Sequence, residues 1–152
     1  MTPSHLVLAL TAIVASTLAG CSLPVLPTDQ DDQLARQVID DVRRGDDAAL
    51  DKVSGPEMKT DTARANLPHM KAYFPAAQPL SVKRGAWRSN ANIGQPPVLM
   101  LEEDYDYPDR TLAITVTMSG SDAEGWMIRG VNVTSNFKAA PSSSAPAKPA
   151  AN

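Results

Sequence analysis

The segment Thr111–Met118, TLAITVTM, decides the fold because large apolar side chains alternate with small ones along it. Its two faces carry different sets: Leu112, Ile114, Val116 and Met118 on one, and Thr111, Ala113, Thr115 and Thr117 on the other. A period of two residues is that of a β-strand, and one wholly apolar face indicates half burial. The segment therefore predicts a strand that covers a hydrophobic core with one face.

Three further segments of strand character flank this one. They are residues 79–87, Val98–Tyr107 and Trp126–Val133. Pro108 and Asp109 predict a tight turn before the strand Thr111–Met118. In the first of them, strict alternation predicts two faces: Leu80, Val82, Arg84 and Ala86 on one, and Ser81, Lys83, Gly85 and Trp87 on the other. Four consecutive strands joined by short connections predict a mainly antiparallel sheet.

Upstream of the strands the apolar period lengthens to that of a helix. Residues 30–44 carry one apolar stripe, formed by Leu34, Ala35, Val38, Ile39 and Val42. Gly45 is expected to end this helix. A short second helix is predicted to follow, capped by Asp46 or Asp47 and ended at Gly55.

A third helical stretch is predicted over residues 58–74. Pro68 is expected either to divide it or to lie in its first turn, and Pro75 to end it. Its buried face is predicted to be Leu67, Met70 and Phe74.

Helices followed by a run of strands predict an α+β domain over residues 30–135, with N-terminal helices packed on a curved four-stranded sheet. This order, closing on a W-x-I-x-G-x-x-V segment (Trp126, Ile128, Gly130, Val133), resembles the cone-like fold of the nuclear-transport-factor-2-like superfamily over residues 31–136. A cystatin-like arrangement with a single helix is the nearest alternative. The resemblance implies a cavity between sheet and helices, in which some members place a carboxylate with a tyrosine or histidine.

The N-terminal twenty residues have the character of an export signal. Residues 1–20 contain no Lys, Arg, Asp or Glu, and Leu6–Leu18 is almost wholly apolar, which is short for a spanning helix. Leu18–Cys21 reads LAGC, which resembles the lipobox of bacterial lipoproteins. The resemblance implies cleavage between Gly20 and Cys21 and a lipid thioether on Cys21, with acyl chains that bind the membrane. The n-region departs from the usual pattern because MTPSH lacks Lys and Arg.

Other features complete the predicted organisation. Residues 21–29 are expected to form a tether, and residues 136–152, rich in Ala, Pro and Ser, a disordered tail. Ser22 in place of Asp after the cysteine resembles outer-membrane sorting, so we expect a lipid-anchored protein of the cell envelope that faces the periplasm. An ordinary signal peptide with a chance cysteine is the alternative.

Composition excludes several function classes. The net charge of -3 and the lack of a basic stripe argue against nucleic-acid binding. Cys21 is the only cysteine, which leaves no internal disulfide. His69 is the only histidine after residue 20, and no nucleophile elbow, phosphate loop or zinc motif is present. We therefore expect no metal, no cofactor and no catalytic residues.

Four residues are candidates for contact with a ligand or partner: Trp87, Tyr105, Trp126 and Arg129. The acidic run from Glu102 to Asp109 is interpreted as a solvated hairpin end that discourages edge pairing. The sequence thus favours a membrane-anchored, non-enzymatic lipoprotein that binds an envelope protein or a small apolar ligand. A cone-fold isomerase or hydrolase and a structural subunit of an envelope assembly are the alternatives. A cavity filled by the apolar face of Thr111–Met118 would argue against the enzyme.

Overall fold

The computed structural model describes residues 25–92, 94–121 and 123–139. The predicted signal peptide, residues 21–24 of the predicted tether with Cys21, and residues 140–152 of the predicted tail lie outside the described residues. None of the helices in the described ranges is both long enough and apolar enough to cross a bilayer.

Helices precede strands, as predicted. The elements are α1 (Asp29–Arg44), α2 (Asp47–Val53), a 3₁₀ turn (Pro56–Lys59), α3 (Asp61–Lys71), β1 (Ser81–Asn90), β2 (Val98–Asp106), β3 (Arg110–Ser121) and β4 (Gly125–Phe137). The four strands pair antiparallel in the order β1-β2-β3-β4, and the sheet curls without closing. The predicted α+β class is confirmed. The sheet extends past residue 135, because Asn136 and Phe137 belong to β4.

Local polar groups fix both ends of α1. Thr28 caps its N-terminus in a capping box, in which the Thr28 backbone N–H donates to the Asp31 carboxylate at 2.7 Å. Gly45 ends the helix in the left-handed region at φ +73°, and its N–H donates to the Asp41 carbonyl oxygen at 2.8 Å. Asp46 caps α2 through a 3.0 Å hydrogen bond from the Ala49 N–H.

The third helical stretch differs from its prediction. It consists of the 3₁₀ turn and α3, separated at Thr60, whose hydroxyl accepts a hydrogen bond from the Ala63 N–H at 3.2 Å and so starts a new helix. Pro68 lies inside α3, so the prediction that it divides the stretch or lies in its first turn was wrong. The predicted inner face, Leu67, Met70 and Phe74, is partly buried against the core.

The core lies between the helices and one face of the sheet. Leu112, Ile114, Val116 and Met118 of β3 are all fully buried, as the alternation predicted. Fully buried side chains from α1, from β2 and from the residue after β2 pack with them: Ala35, Val38, Ile39, Leu99, Leu101 and Tyr107. These side chains fill the space between sheet and helices.

Two bulges change which side chains face the core. In β1, Gly85 and Ala86 together lie opposite a single β2 residue, because Arg84 pairs with Glu103 and Trp87 pairs with Leu101. The predicted strict alternation of residues 80–87 was therefore wrong, and Trp87 shares the face of Arg84.

In β4, Arg129 is the extra residue, because Ile128 pairs with Met118 and Gly130 pairs with Thr117. Directly paired residues share a face, so the bulge brings Val131 and Val133 to the same side as Ile128. Both valines are partly buried against the core.

The hairpin between β3 and β4 depends on Gly120. Its φ is +136°, and a Cβ there would lie 2.2 Å from the Gly125 carbonyl oxygen. Gly94 also has positive φ (+79°), but nothing lies within 4 Å of its Cβ position.

We expect Gly120→Ala to lower the free energy of unfolding by more than about 3 kcal/mol, and Gly94→Ala by about 1 kcal/mol. Urea unfolding followed by tryptophan fluorescence measures both, and equal losses would contradict the steric argument.

Candidate binding cleft between α3 and the edge of β4

A cleft of about 390 Å³ lies between α3 and the edge strand β4. One wall is formed by side chains of α3 and by Tyr73, the other is β4 from Arg129 to Asn132, and Glu57 and Met58 of the 3₁₀ turn close one end. We call this the α3–β4 cleft. Its volume lies in the range of small-molecule and peptide subsites.

Helical spacing explains which α3 side chains reach the cleft. Ala63, Asn66 and Met70 of α3 follow one another at intervals of three or four residues, so they lie along one face, and Tyr73 lies two residues beyond the end of the helix. Met70 is half-buried and also packs against the core, whereas Tyr73 is 46% exposed. His69 adds an exposed polar side chain to the same wall. Asn66 and Tyr73 were not predicted as wall residues, although the helical spacing of Asn66 from Ala63 and Met70 carried the signal for Asn66.

An ion pair closes the cleft at the 3₁₀ turn. The Arg129 guanidinium contacts the Glu57 carboxylate, with Nε to Oε1 at 2.8 Å and Nη2 to Oε1 at 2.5 Å. A backbone hydrogen bond to Glu57 and the pairing with Arg129 lower the pKa of that carboxyl. Arg129 therefore joins the β4 bulge to the preceding turn, with its charge neutralised at the mouth of the cleft.

The edge of β4 is paired over only part of its length. The Gly55 N–H donates to the Ile128 carbonyl oxygen at 2.8 Å, and Ser54 forms an isolated parallel bridge with Ile128. Pro56 then begins the 3₁₀ turn and carries the chain away. Over the described residues, no backbone hydrogen bond from outside the β3–β4 ladder reaches residues 129–136.

The other candidate contact residues do not assemble with Arg129. Trp87 is 39% exposed, as predicted for a contact residue, but it lies on β1 at the opposite edge of the sheet. Trp126 begins the inward face of β4 and is partly buried against the core. Tyr105 is a core residue, and burial raises the pKa of its hydroxyl. The structure therefore separates the four residues among two edges and the core.

The acidic run on β2 also differs from its interpretation. β2 lies between β1 and β3, so it is not an edge strand. Glu102, Asp104 and Asp106 lie on the face away from the helices, whereas Glu103 is fully buried beneath α1. The interpretation of the run as edge-protecting was therefore wrong for β2, and its interpretation as solvated was wrong for Glu103.

Glu103 is held by an arginine of α1. The Arg36 Nε donates to Glu103 Oε2 at 3.1 Å, while Oε1 is buried with no hydrogen-bond partner among the described residues. Burial raises the pKa of Glu103, and the positive charge of Arg36 opposes that shift. Arg84 of β1 pairs with Asp32 of α1 beside this contact. Together these ion pairs join α1 to β1 and β2.

Comparison with known proteins finds no family model, no curated protein and no solved structure that matches this chain. The lipobox and the nuclear-transport-factor-2-like resemblance therefore stay predictions from the sequence.

The Arg36–Glu103 pair gives a pH-dependent prediction. Because the pKa of Glu103 is raised in the folded chain, ionisation of this carboxyl lowers the free energy of unfolding. The loss appears as the pH rises above about 4.5, the ordinary pKa of a glutamate. Arg36→Met keeps an apolar stem but leaves the carboxylate unpaired. We expect it to lower the free energy of unfolding by about 2 kcal/mol at pH 7, and by less at pH 4.5, where Glu103 takes up a proton.

The matched control for this prediction is Arg64→Met. The Arg64–Asp51 pair has a similar separation of 3.0 Å, but both side chains are about half exposed. We expect its removal to change stability by less than about 0.5 kcal/mol at either pH. Urea unfolding at the two pH values compares the variants. A pH-independent loss in Arg36→Met would rule out the buried charge as the cause.

Proposed function

We propose that this chain is an exported lipoprotein of the cell envelope, anchored by lipid on Cys21, whose α+β domain is a non-enzymatic binding module. The observation that carries the proposal is the apolar run that ends in LAGC at residues 18–21, shortly before the start of the folded domain at Asp29. The small residues Ala19 and Gly20 suit a peptidase site, and the thiol is the group that accepts the lipid.

The short link between anchor and domain limits where the domain works. Residues 22–28 separate Cys21 from α1, and at about 3.5 Å per residue they reach at most about 25 Å. Pro27 restricts the preceding residue, Leu26, to an extended backbone. A lipid-anchored chain would therefore hold its domain close to the membrane surface, within reach of other envelope proteins.

Binding is favoured over catalysis by the contents of the fold. The fully buried face of β3 fills the space in which a cone-fold enzyme needs a cavity. Glu103 is a carboxylate beside Tyr105 on the same strand, but its side chain has no exposed surface for a substrate to contact. The α3–β4 cleft, in contrast, is open and offers Tyr73, His69 and a strand edge.

The anchor is tested by Cys21→Ala, with Ser22→Ala as the matched control. In a bacterial host fed labelled palmitate, we expect the control to be labelled and Cys21→Ala to lose all label, because the thioether needs the sulfur atom. Mass spectrometry of the N-terminal peptide checks that the mature chain begins at Cys21. An unlabelled parent chain, or cleavage at another residue, would contradict the proposal.

A further inference from the structure

We infer that the α3–β4 cleft binds an extended peptide segment of a partner protein, which adds to the edge of β4 as a parallel strand. The inference rests on the proposed role of the domain as a binding module and names the class of partner. Strand addition to an exposed sheet edge beside a helix is a general mode of peptide recognition.

The chain itself already begins this pairing. Ser54 and Gly55 lie parallel to β4 at Ile128, joined by the 2.8 Å hydrogen bond from Gly55 N–H to Ile128 O. The 3₁₀ turn that begins at Pro56 takes the chain out of the extended conformation, so the pairing stops after two residues. The peptide continues along the edge where the chain leaves it, with its N-terminal end near Arg129.

Backbone geometry leaves hydrogen-bonding groups available along that edge. The Gly120 N–H donates to Pro97 O, which shows that even-numbered β3 residues turn their backbone groups to β2. Val131 and Val133 pair with the even-numbered Val116 and Ile114. Their N–H and C=O groups therefore point away from β3, toward the cleft side of β4.

The two edges of the sheet are protected very differently. Natural proteins protect edge strands with charges, bulges and prolines. β1 carries Lys83, Arg84 and Arg88 beside its bulge. In β4, residues 130–136 read GVNVTSN and contain no charged residue and no proline. This segment has the composition of a strand that accepts a partner.

The facing wall of the cleft sets the character of the peptide. Met58 and Met70 form an apolar floor, and Tyr73 stands exposed at its side. Asn66 and His69 supply polar groups on the same wall. Side chains of an added strand alternate between two sides, so every second residue of the peptide enters the cleft. The peptide is therefore one with apolar residues at alternate positions and no proline where it pairs.

The inference is tested with a displayed random library of ten-residue peptides, selected for binding to the full chain that carries Cys21→Ser. The affinity of each enriched peptide is then measured by titration. We expect hydrogen exchange of the Val131 and Val133 amides to slow when a peptide binds. Tyr73→Ala is expected to weaken binding at least tenfold, whereas Met100→Ala is expected to change it less than twofold. Met100 is the control because it is similarly exposed but lies on the opposite face of the sheet.

Backbone chemistry of the peptide provides a test that leaves the protein unchanged. N-methylation removes single N–H donors, so methylation at alternate positions is expected to weaken binding at least tenfold in one register and little in the other. Equal effects in both registers, an unchanged affinity of Tyr73→Ala, or no enrichment of peptides would overturn the inference.

Two other occupants give distinct outcomes that would also overturn it. A second copy would protect the Val131 and Val133 amides in a concentration-dependent dimer without peptide. If the segment 140–152 were the occupant, the Val131 and Val133 amides would be protected in the full chain and would lose that protection in a chain that ends at residue 139. The anchor is tested separately, since a parent chain that takes up no palmitate label but still binds peptide refutes the lipoprotein proposal and leaves the peptide site intact.

Discussion

The burial of one face of β3 is the constraint on which the rest of the structure depends. Leu112, Ile114, Val116 and Met118 have no exposed surface, and α1 lies over them with its own apolar stripe. At about 1.5–3 kcal/mol for each large apolar side chain removed from water, this interface is the main source of folding free energy. Cys21 is the only cysteine, so no disulfide inside the domain shares that role.

Periodicity predicted the parts of the fold in which one face is apolar. It gave the class, the order of the elements and the buried faces of α1 and β3, because water exclusion dictates those faces directly. It failed at Gly85, where an extra residue shifts the predicted alternation, and it made no prediction of faces in β4, where Arg129 is likewise an extra residue. The spacing of three residues from Ile128 to Val131 did carry that signal, since strict alternation would have turned both valines of β4 away from the core.

The placement of charges was harder to predict, because it depends on partners far away in the sequence. Glu103 reads as one member of an exposed acidic run, yet its position on the inward face of β2 is consistent with the period of two. The buried carboxylate is tolerated because Arg36 of α1 pairs with it, and Arg36 is far from Glu103 in the sequence. The same reasoning applies to Arg129, whose partner Glu57 lies in a 3₁₀ turn between the second and third predicted helical stretches.

The candidate site follows from the way the helices cover the sheet. A four-stranded meander has two edges, and α1 with its ion pairs to Glu103 and Arg84 lies against the β1 side. The chain between α2 and α3 reaches the β4 side, but Pro56 ends its pairing with that strand at the bulge. β4 thus keeps an edge without charged residues over 130–136, and a cleft of about 390 Å³ lies between this strand and α3. A bulge, a proline and an ion pair, each explicable by local chemistry, together place an unpaired strand edge beside a helix, and that juxtaposition is the physical basis of recognition by strand addition.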